Sequence, residues 1–310
     1  MGLRRAILGA ALAALLPSSA PSETGPAAPP SSIVFAAWNV RNYRLDPPRG
    51  SDGNPLAPSK TEKSAEAVAS ILARIAPDII GLCEMGSRQD LADLQRRLEK
   101  KGLALPHATW VGGADEDRHL ALLSRFPIAR VRHQTRATVA AAGPEQRVQR
   151  GFLDSTITVH PRFPLRILGA HFKSRRVVAG FDQAEFRRQE SLVLRRHIES
   201  ILQADPEVAL LVFGDLNDTK NSPAVSGLLG RAGTPAALTA LTLNDTRGEN
   251  WTYHWEETDE YSRVDYVMVS NFLRPLVDRR ASRIPATRGW AEASDHRPLV
   301  VTLRIPPEKP

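Results

Sequence analysis

Apolar residues gather along this chain in short runs, bounded by polar loops and interleaved with segments of helical spacing. Residues 33–38 read as a buried strand. Residues 61–75 carry Ala65, Val68, Ala69, Leu72 and Ile75 three or four positions apart, which predicts an amphipathic helix. Pro77 stops it, and residues 78–83 read as a second buried strand. A polar helix is expected over about 88–101, and further strands over 120–124, 152–159 and 165–170. Residues 183–203 predict a long helix with arginines on its outer face, and residues 209–213, 264–269 and 299–303 complete the strands. Residues 47–59, with four prolines and two glycines, form a loop. No repeat is visible and nothing marks an internal linker, so the pattern predicts one α/β domain over residues 33–306.

The N-terminus follows a different logic. Arg4 and Arg5 precede an apolar run of 11 residues at 6–16, followed by Pro17, Ser18, Ser19 and Ala20. A basic start, a short apolar stretch and small residues before a cleavage point predict a signal peptide over 1–20. The run is shorter than the roughly 20 residues that span a bilayer. Residues 21–32, rich in Pro, Ser and Ala, read as a disordered linker. The expected location is periplasmic or secreted, without a transmembrane anchor.

Composition narrows the picture. The chain has 310 residues, 42% hydrophobic and 24% charged, which fits one large globular unit and excludes wholesale disorder. Cys83 is the single cysteine, so no intramolecular disulfide and no multi-cysteine zinc site can form. The net charge is +7, and 34 of the 41 basic residues are arginine. Arginine binds phosphate in bidentate fashion, although a GC-rich genome gives the same bias. Loss of Arg4 and Arg5 would leave +5.

Candidate chemistry sits where strands end. Apolar runs terminate at Asn39, at Cys83-Glu84, at Gly214-Asp215-Leu216-Asn217, at Ser294-Asp295-His296 and at His171. Rigid strand ends opening into loops suit ligand and catalytic groups. Asp265 lies just inside an apolar strand, and a buried carboxylate requires a charged or hydrogen-bonding partner.

Six motifs in order (Trp38-Asn39-Val40, Cys83-Glu84, His171-Phe172-Lys173-Ser174, Gly214-Asp215-Leu216-Asn217-Asp218, Arg263-Val264-Asp265-Tyr266 and Ser294-Asp295-His296-Arg297-Pro298) resemble those of the endonuclease/exonuclease/phosphatase superfamily, the deoxyribonuclease I-like fold. The resemblance implies a four-layer αββα sandwich, with two mixed β-sheets face to face and helices outside. It also implies hydrolysis of phosphoesters with a divalent metal, Mg²⁺ or Mn²⁺, held by Glu84 with Asn39 and Asp295 in support. Asp215 would orient and activate the attacking water beside Asn217. His296, held as imidazolium by Asp265, would bind a phosphoryl oxygen. His171 would approach the phosphate from the other side, and Asp117 resembles an acid that pairs with that histidine in secreted members.

Departures from the family pattern refine the expectation. Abasic-site repair members carry an acid where this chain has Arg41, and a tyrosine where it has His171. Residues 261–265 replace the motif of inositol polyphosphate phosphatases. Lys173, Arg175, Arg176, Arg187, Arg188, Arg195 and Arg196 outnumber Asp182, Glu185 and Glu190 just after His171. They form either a basic stripe for a polyanionic backbone, led by Lys173, Arg175 and Arg176 as phosphate binders, or an ordinary solvated helix face. Alternating Trp251, Tyr253 and Trp255 form either an exposed hairpin for a lipid surface or part of a sheet face. The expected activity is an exported nuclease of low sequence specificity, with nucleic acid or another phosphodiester as substrate. The alternative is an enzyme for small-molecule or lipid phosphates, sphingomyelinase-like. No stable protein partner is implied and a monomer is expected.

Overall fold

The computed structural model describes residues 30–46, 59–140 and 144–306. The proposed signal peptide, residues 21–29 of the linker and residues 47–58 of the proline-rich loop lie outside the described residues. The chain runs through β1 (Ser32–Tyr43), α1 (Glu62–Ile75), β2 (Ile79–Met85), α2 (Arg88–Lys100), β3 (His107–Val111) and β4 (His119–Ser124). It continues with β5 (Ile128–Val131), β6 (Thr138–Val139), β7 (Gln146–Arg147), β8 (Phe152–His160), β9 (Phe163–His171) and α3 (Gln183–Ala204). The last third contains β10 (Ala209–Asp215), α4 (Pro223–Leu229), β11 (Leu238–Ala240), β12 (Tyr253–Trp255) and β13 (Glu260–Ser262). It closes with β14 (Asp265–Ser270), β15 (Val277–Arg283), α5 (Trp290–Ala293) and β16 (Leu299–Arg304).

Two six-stranded sheets form, ordered β15-β16-β1-β2-β4-β3 and β11-β14-β10-β9-β8-β5. Each is mixed: β1–β2 and β9–β10 run parallel, and the other ladders are antiparallel. The period of two along each strand builds the layers. Ile33, Phe35 and Ala37 of β1 and Ala209, Leu211 and Phe213 of β10 point into one core between the sheets. Trp38 and Val40 face the other way, onto α1 and α2, while Leu210 and Val212 face α3. The result is the αββα sandwich expected from the sequence.

The two sheets interlock close to one end. Phe213 meets Phe35 edge-on at 5.6 Å between centroids. A Cβ added at Gly81 of β2 or Gly169 of β9 would lie 2.5 or 2.7 Å from the Phe213 ring. Only glycine lets the ring occupy that slot.

Local signals account for the helices. Thr61 caps α1 through the Ser64 N–H, and Ser87 and Asp90 form a reciprocal capping box on α2. Two expectations need correction. The first strand begins at Ser32, inside the proposed linker, and Ser31 accepts a hydrogen bond from Ile305 N–H. The arginines of α3 do not share an outer face: Arg187 and Arg195 are buried. Arg187 holds Asp218 and the carbonyls of Lys173 and Ser174, while Arg195 holds Glu199 and the carbonyls of Leu228 and Ala236. No helix among the described residues is long and apolar enough to cross a membrane.

Candidate active site

Register puts the chemistry in line. In the second sheet Asp215 pairs with His171 across the parallel β9–β10 ladder and with Asp265 across the antiparallel β10–β14 ladder. Three neighbouring strands therefore present His171, Asp215 and Asp265 side by side. The first sheet brings Asn39 from β1 and Glu84 from β2, and the segment before β16 brings Asp295 and His296.

Contacts across the gap join the two sets. Asn39 Nδ2 donates to Asp215 Oδ2 at 3.0 Å and to Glu84 Oε1 at 3.2 Å. His171 Nε2 lies 3.5 Å from Asp215 Oδ2 and 3.9 Å from Glu84 Oε1. His296 Nδ1 meets Asp265 Oδ2 at 2.8 Å, and its Nε2 lies 3.8 Å from Asp215 Oδ2. The partner that a buried Asp265 requires is thus His296.

The backbone is held in unusual conformations here. Arg41, Asn42, Glu84 and Asn217 all have positive φ without being glycine. Such residues persist only where their surroundings over-determine them. Glu84 is fixed because its Oε2 accepts from Asn42 N–H at 2.9 Å. Asn217 N–H donates to Asp215 Oδ1 at 2.9 Å, and its side-chain amide donates to the Phe172 carbonyl at 3.0 Å. The latter bond ties the loop after β10 to the segment after β9. Lys60, which sequence reasoning missed, donates to the carbonyls of Arg41 and Ala293, and burial pulls its ammonium down to about 8.

Electrostatics separate the titratable groups. Burial and the adjacent Asp265 carboxylate push Asp215 up to about 7, against the pull of His296 and two hydrogen bonds. Burial alone would lower His296, but Asp265 in direct contact, with Asp215 and Asp295 beyond it, raises it to about 10. It is therefore imidazolium at neutral pH. His171 goes the other way: burial, reinforced by Arg150, His296 and Arg118, takes it well below the usual histidine value. Its Nδ1 has no hydrogen-bond partner.

Other sequence candidates are placed at the rim. Asp295 Oδ2 lies 3.6 Å from Arg41 Nε, and its Oδ1 is 4.0 Å from His296 Nε2. Lys173 is half-buried, while Arg175 and Arg176 are exposed, and Arg175 donates to Ser262 Oγ at 3.1 Å. Asp117 does not pair with His171; its carboxylate meets Arg44 at 2.7 Å, because Arg44 is a buried cation and demands an anion. Cys83 is buried in the core between the sheets and packs near the Ala170 carbonyl.

The three alternating aromatics have three different surroundings. β12 and β13 pair as a hairpin. Trp251 is packed, with the Arg297 guanidinium 3.5 Å above its ring and Tyr261 and Trp290 edge-on. Trp255 at the tip is exposed. Tyr253 touches the site, its ring 4.7 Å from that of His296.

Donor atoms of Glu84, His171 and Asp215 all lie within 4.8 Å of one another, as do those of Asp215, Asp265 and His296. The first group offers two hard carboxylates, the second a carboxylate–imidazolium pair aimed at a shared acid. Such an arrangement can stabilise negative charge on a phosphoryl group from two sides.

Residues 36–296 match the profile of the Endonuclease/Exonuclease/phosphatase family. The chain belongs to that family and is a phosphoester hydrolase of its type. No curated protein matches the sequence. Among solved structures, an endonuclease/exonuclease/phosphatase from Bacteroides vulgatus is 18% identical, with TM-score 0.60 over 89% of this chain and 100% of that one. Truncated Caenorhabditis elegans TDP2 is 15% identical, with TM-score 0.60 over 88% of this chain and 98% of that one. D. rerio TDP2 complexed with single strand DNA product is 17% identical, with TM-score 0.59 over 89% and 100%. Similarity at this level establishes the fold.

Proposed function

We propose that this chain is an exported, divalent-metal-dependent phosphodiesterase, acting on nucleic acid with little sequence specificity. The observation that carries the reading is the convergence on Asp215 Oδ2 of Asn39 at 3.0 Å, His171 at 3.5 Å and His296 at 3.8 Å. A carboxylate so surrounded is placed to orient a water and accept its proton. Asn39 fixes the carboxylate's direction. His296, kept charged by Asp265, would bind a non-bridging phosphoryl oxygen and hold its growing negative charge. Neutral His171 would contribute a single N–H or lone pair on the opposite side.

The carboxylates of Glu84 and Asp215, with the Asn39 amide between them, fit a hard cation such as Mg²⁺ or Mn²⁺. Glu84 and Asp215 would hold it, and Asp295 at the rim would reach its hydration shell. When bound, such an ion neutralises phosphoryl charge. Export rests on the sequence of residues 1–20.

Lys173, Arg175 and Arg176, in the segment that leaves His171, suit a polyanionic substrate. The relative from D. rerio, solved with a single-stranded DNA product, is consistent with that class. One observation favours a second reading, a smaller or lipid phosphodiester. Glu256, Glu257, Asp259 and Glu260 are all exposed on the hairpin beside the mouth and repel a phosphate backbone. Purified protein assayed with Mg²⁺ and Mn²⁺ on plasmid DNA, RNA, sphingomyelin and a generic phosphodiester decides the matter. Hydrolysis of nucleic acid is expected. Hydrolysis of lipid alone overturns the nuclease reading, and activity that survives EDTA overturns metal dependence.

A further inference from the structure

Four tyrosines occur in the chain. The two buried ones have hydrogen-bonded hydroxyls: Tyr43 donates to Asp93, and Tyr266 to the carbonyls of Asp218 and Arg263. Tyr261 is exposed on the hairpin, whereas Tyr253 is half-buried at the site, and no protein group among the described residues receives its hydroxyl.

Its position is fixed by backbone, not by chance packing. Tyr253 bridges to His296 in antiparallel register. On either side of that bridge, His254 N–H donates to the Asp295 carbonyl at 3.0 Å and Arg297 N–H to the Thr252 carbonyl at 2.7 Å. Thr252 is fully buried, and its hydroxyl accepts from the N–H groups of both Val264 and Asp265. The segment bearing Tyr253 is therefore fastened to both members of the Asp265–His296 pair. The ring packs against the His296 imidazole, and the half-buried hydroxyl lies in the field of Asp295, Arg175, Asp215 and Arg41. Two of those are cations at the mouth, and Arg175 is itself anchored to the hairpin through Ser262.

A rigidly held phenol beside the imidazolium, whose O–H no described protein group receives, is free to donate to an oxygen of the substrate's phosphoryl group. We propose that Tyr253 is a further catalytic residue, whose hydroxyl donates a hydrogen bond to the same phosphoryl group that His296 binds. This assignment rests on the phosphodiesterase reading for its catalytic part, but the underlying phosphate contact stands apart from it. The phenol remains protonated throughout and no covalent step is involved.

Tyr253→Phe removes the oxygen and keeps the ring, so it separates hydrogen bonding from packing. Two measurements are made on wild type, Tyr253→Phe and Tyr253→Ala, each checked for an unchanged thermal midpoint. The first is kcat/KM on bis(p-nitrophenyl) phosphate with Mg²⁺. The second is the affinity for inorganic phosphate by calorimetry with the same ion. Tyr253→Phe is expected to lower kcat/KM by about 10- to 100-fold and phosphate affinity by about tenfold, the effect of losing one donor to a charged oxygen. If Tyr253→Phe matches wild type in both while Tyr253→Ala is impaired, the ring alone matters and the assignment is overturned. Should wild type hydrolyse no phosphodiester while Tyr253→Phe still weakens phosphate binding, the functional reading fails and the phosphate contact stands. Unchanged phosphate affinity in Tyr253→Phe overturns the contact in either case.

Discussion

Asp265 opens β14 of the second sheet and His296 lies in the segment before β16 of the first, yet their side chains meet at 2.8 Å. The bond crosses the sandwich at the end where Asp215 sits. It converts a costly buried carboxylate into the device that keeps an imidazole charged.

The pair gives stability a definite pH dependence. His296 is raised from an ordinary 6.5 to about 10, so the folded state holds a proton that the unfolded chain has released between those values. Its stabilising contribution is complete below about pH 6.5 and is lost as pH climbs through about 10. Denaturant titrations at pH 6, 8 and 10 are expected to show falling stability, and His296→Gln to flatten the trend. Asp265→Asn is expected to lower activity at neutral pH by about 100-fold or more through loss of the imidazolium.

Glu190 contributes a slope at lower pH. It is buried beneath the segment after β9, accepts from Lys173 N–H at 2.7 Å, and leaves Oε1 unpartnered. Burial outweighs that hydrogen bond and the nearby cations, raising the carboxyl from 4.5 to about 7. Stability is therefore lost as pH rises from about 4.5 through about 7. Glu190→Gln is expected to make the fall in melting temperature between pH 4 and 8 shallower, leaving the part contributed by the raised Asp215 carboxyl.

Gly81 and Gly169 flank Phe213 too closely for any side chain. Alanine at either position forces the sheets apart or the ring off its rotamer, and overpacking of this kind costs about 1–3 kcal/mol. Adding Phe213→Leu to Gly81→Ala is expected to restore part of the loss, a coupling that a double-mutant cycle in urea detects.

Glu84, proposed to hold the cation, and Asp215, proposed to face it and to take the proton of water, are expected to respond differently to substitution. Glu84→Gln is expected to weaken Mg²⁺ binding, so that activity recovers in part at high Mg²⁺. Asp215→Asn is expected to abolish turnover at every Mg²⁺ concentration. Chelation should silence the wild type reversibly, with Mn²⁺ restoring activity.

Much of this was legible in the chain because buried strands announce themselves. The runs at 33–38, 78–83, 165–170 and 209–213 each matched a strand, and the polar residues ending them converged in space. Strand β3, half-exposed as His-Ala-Thr-Trp-Val, and edge strand β15, Val-Asp-Arg-Arg-Ala-Ser-Arg, lack a clean period and were not anticipated. Arg187 and Arg195 misled because charge spacing gives periodicity but not the side of a helix that is covered. In the sequence Tyr253 is one of three alternating aromatics, and its bridge to His296 sets it apart from Trp251 and Trp255.

The bond from Asn39 to Asp215 runs from one sheet to the other, and that from His296 to Asp265 ties the segment before β16 to the second sheet. Neither half of the sandwich owns the centre. Turnover therefore reports on whether the halves are docked: slight slippage between them would silence the enzyme while its circular dichroism still looked native. Catalysis in this chain is a gauge of assembly, more sensitive than any probe of secondary structure.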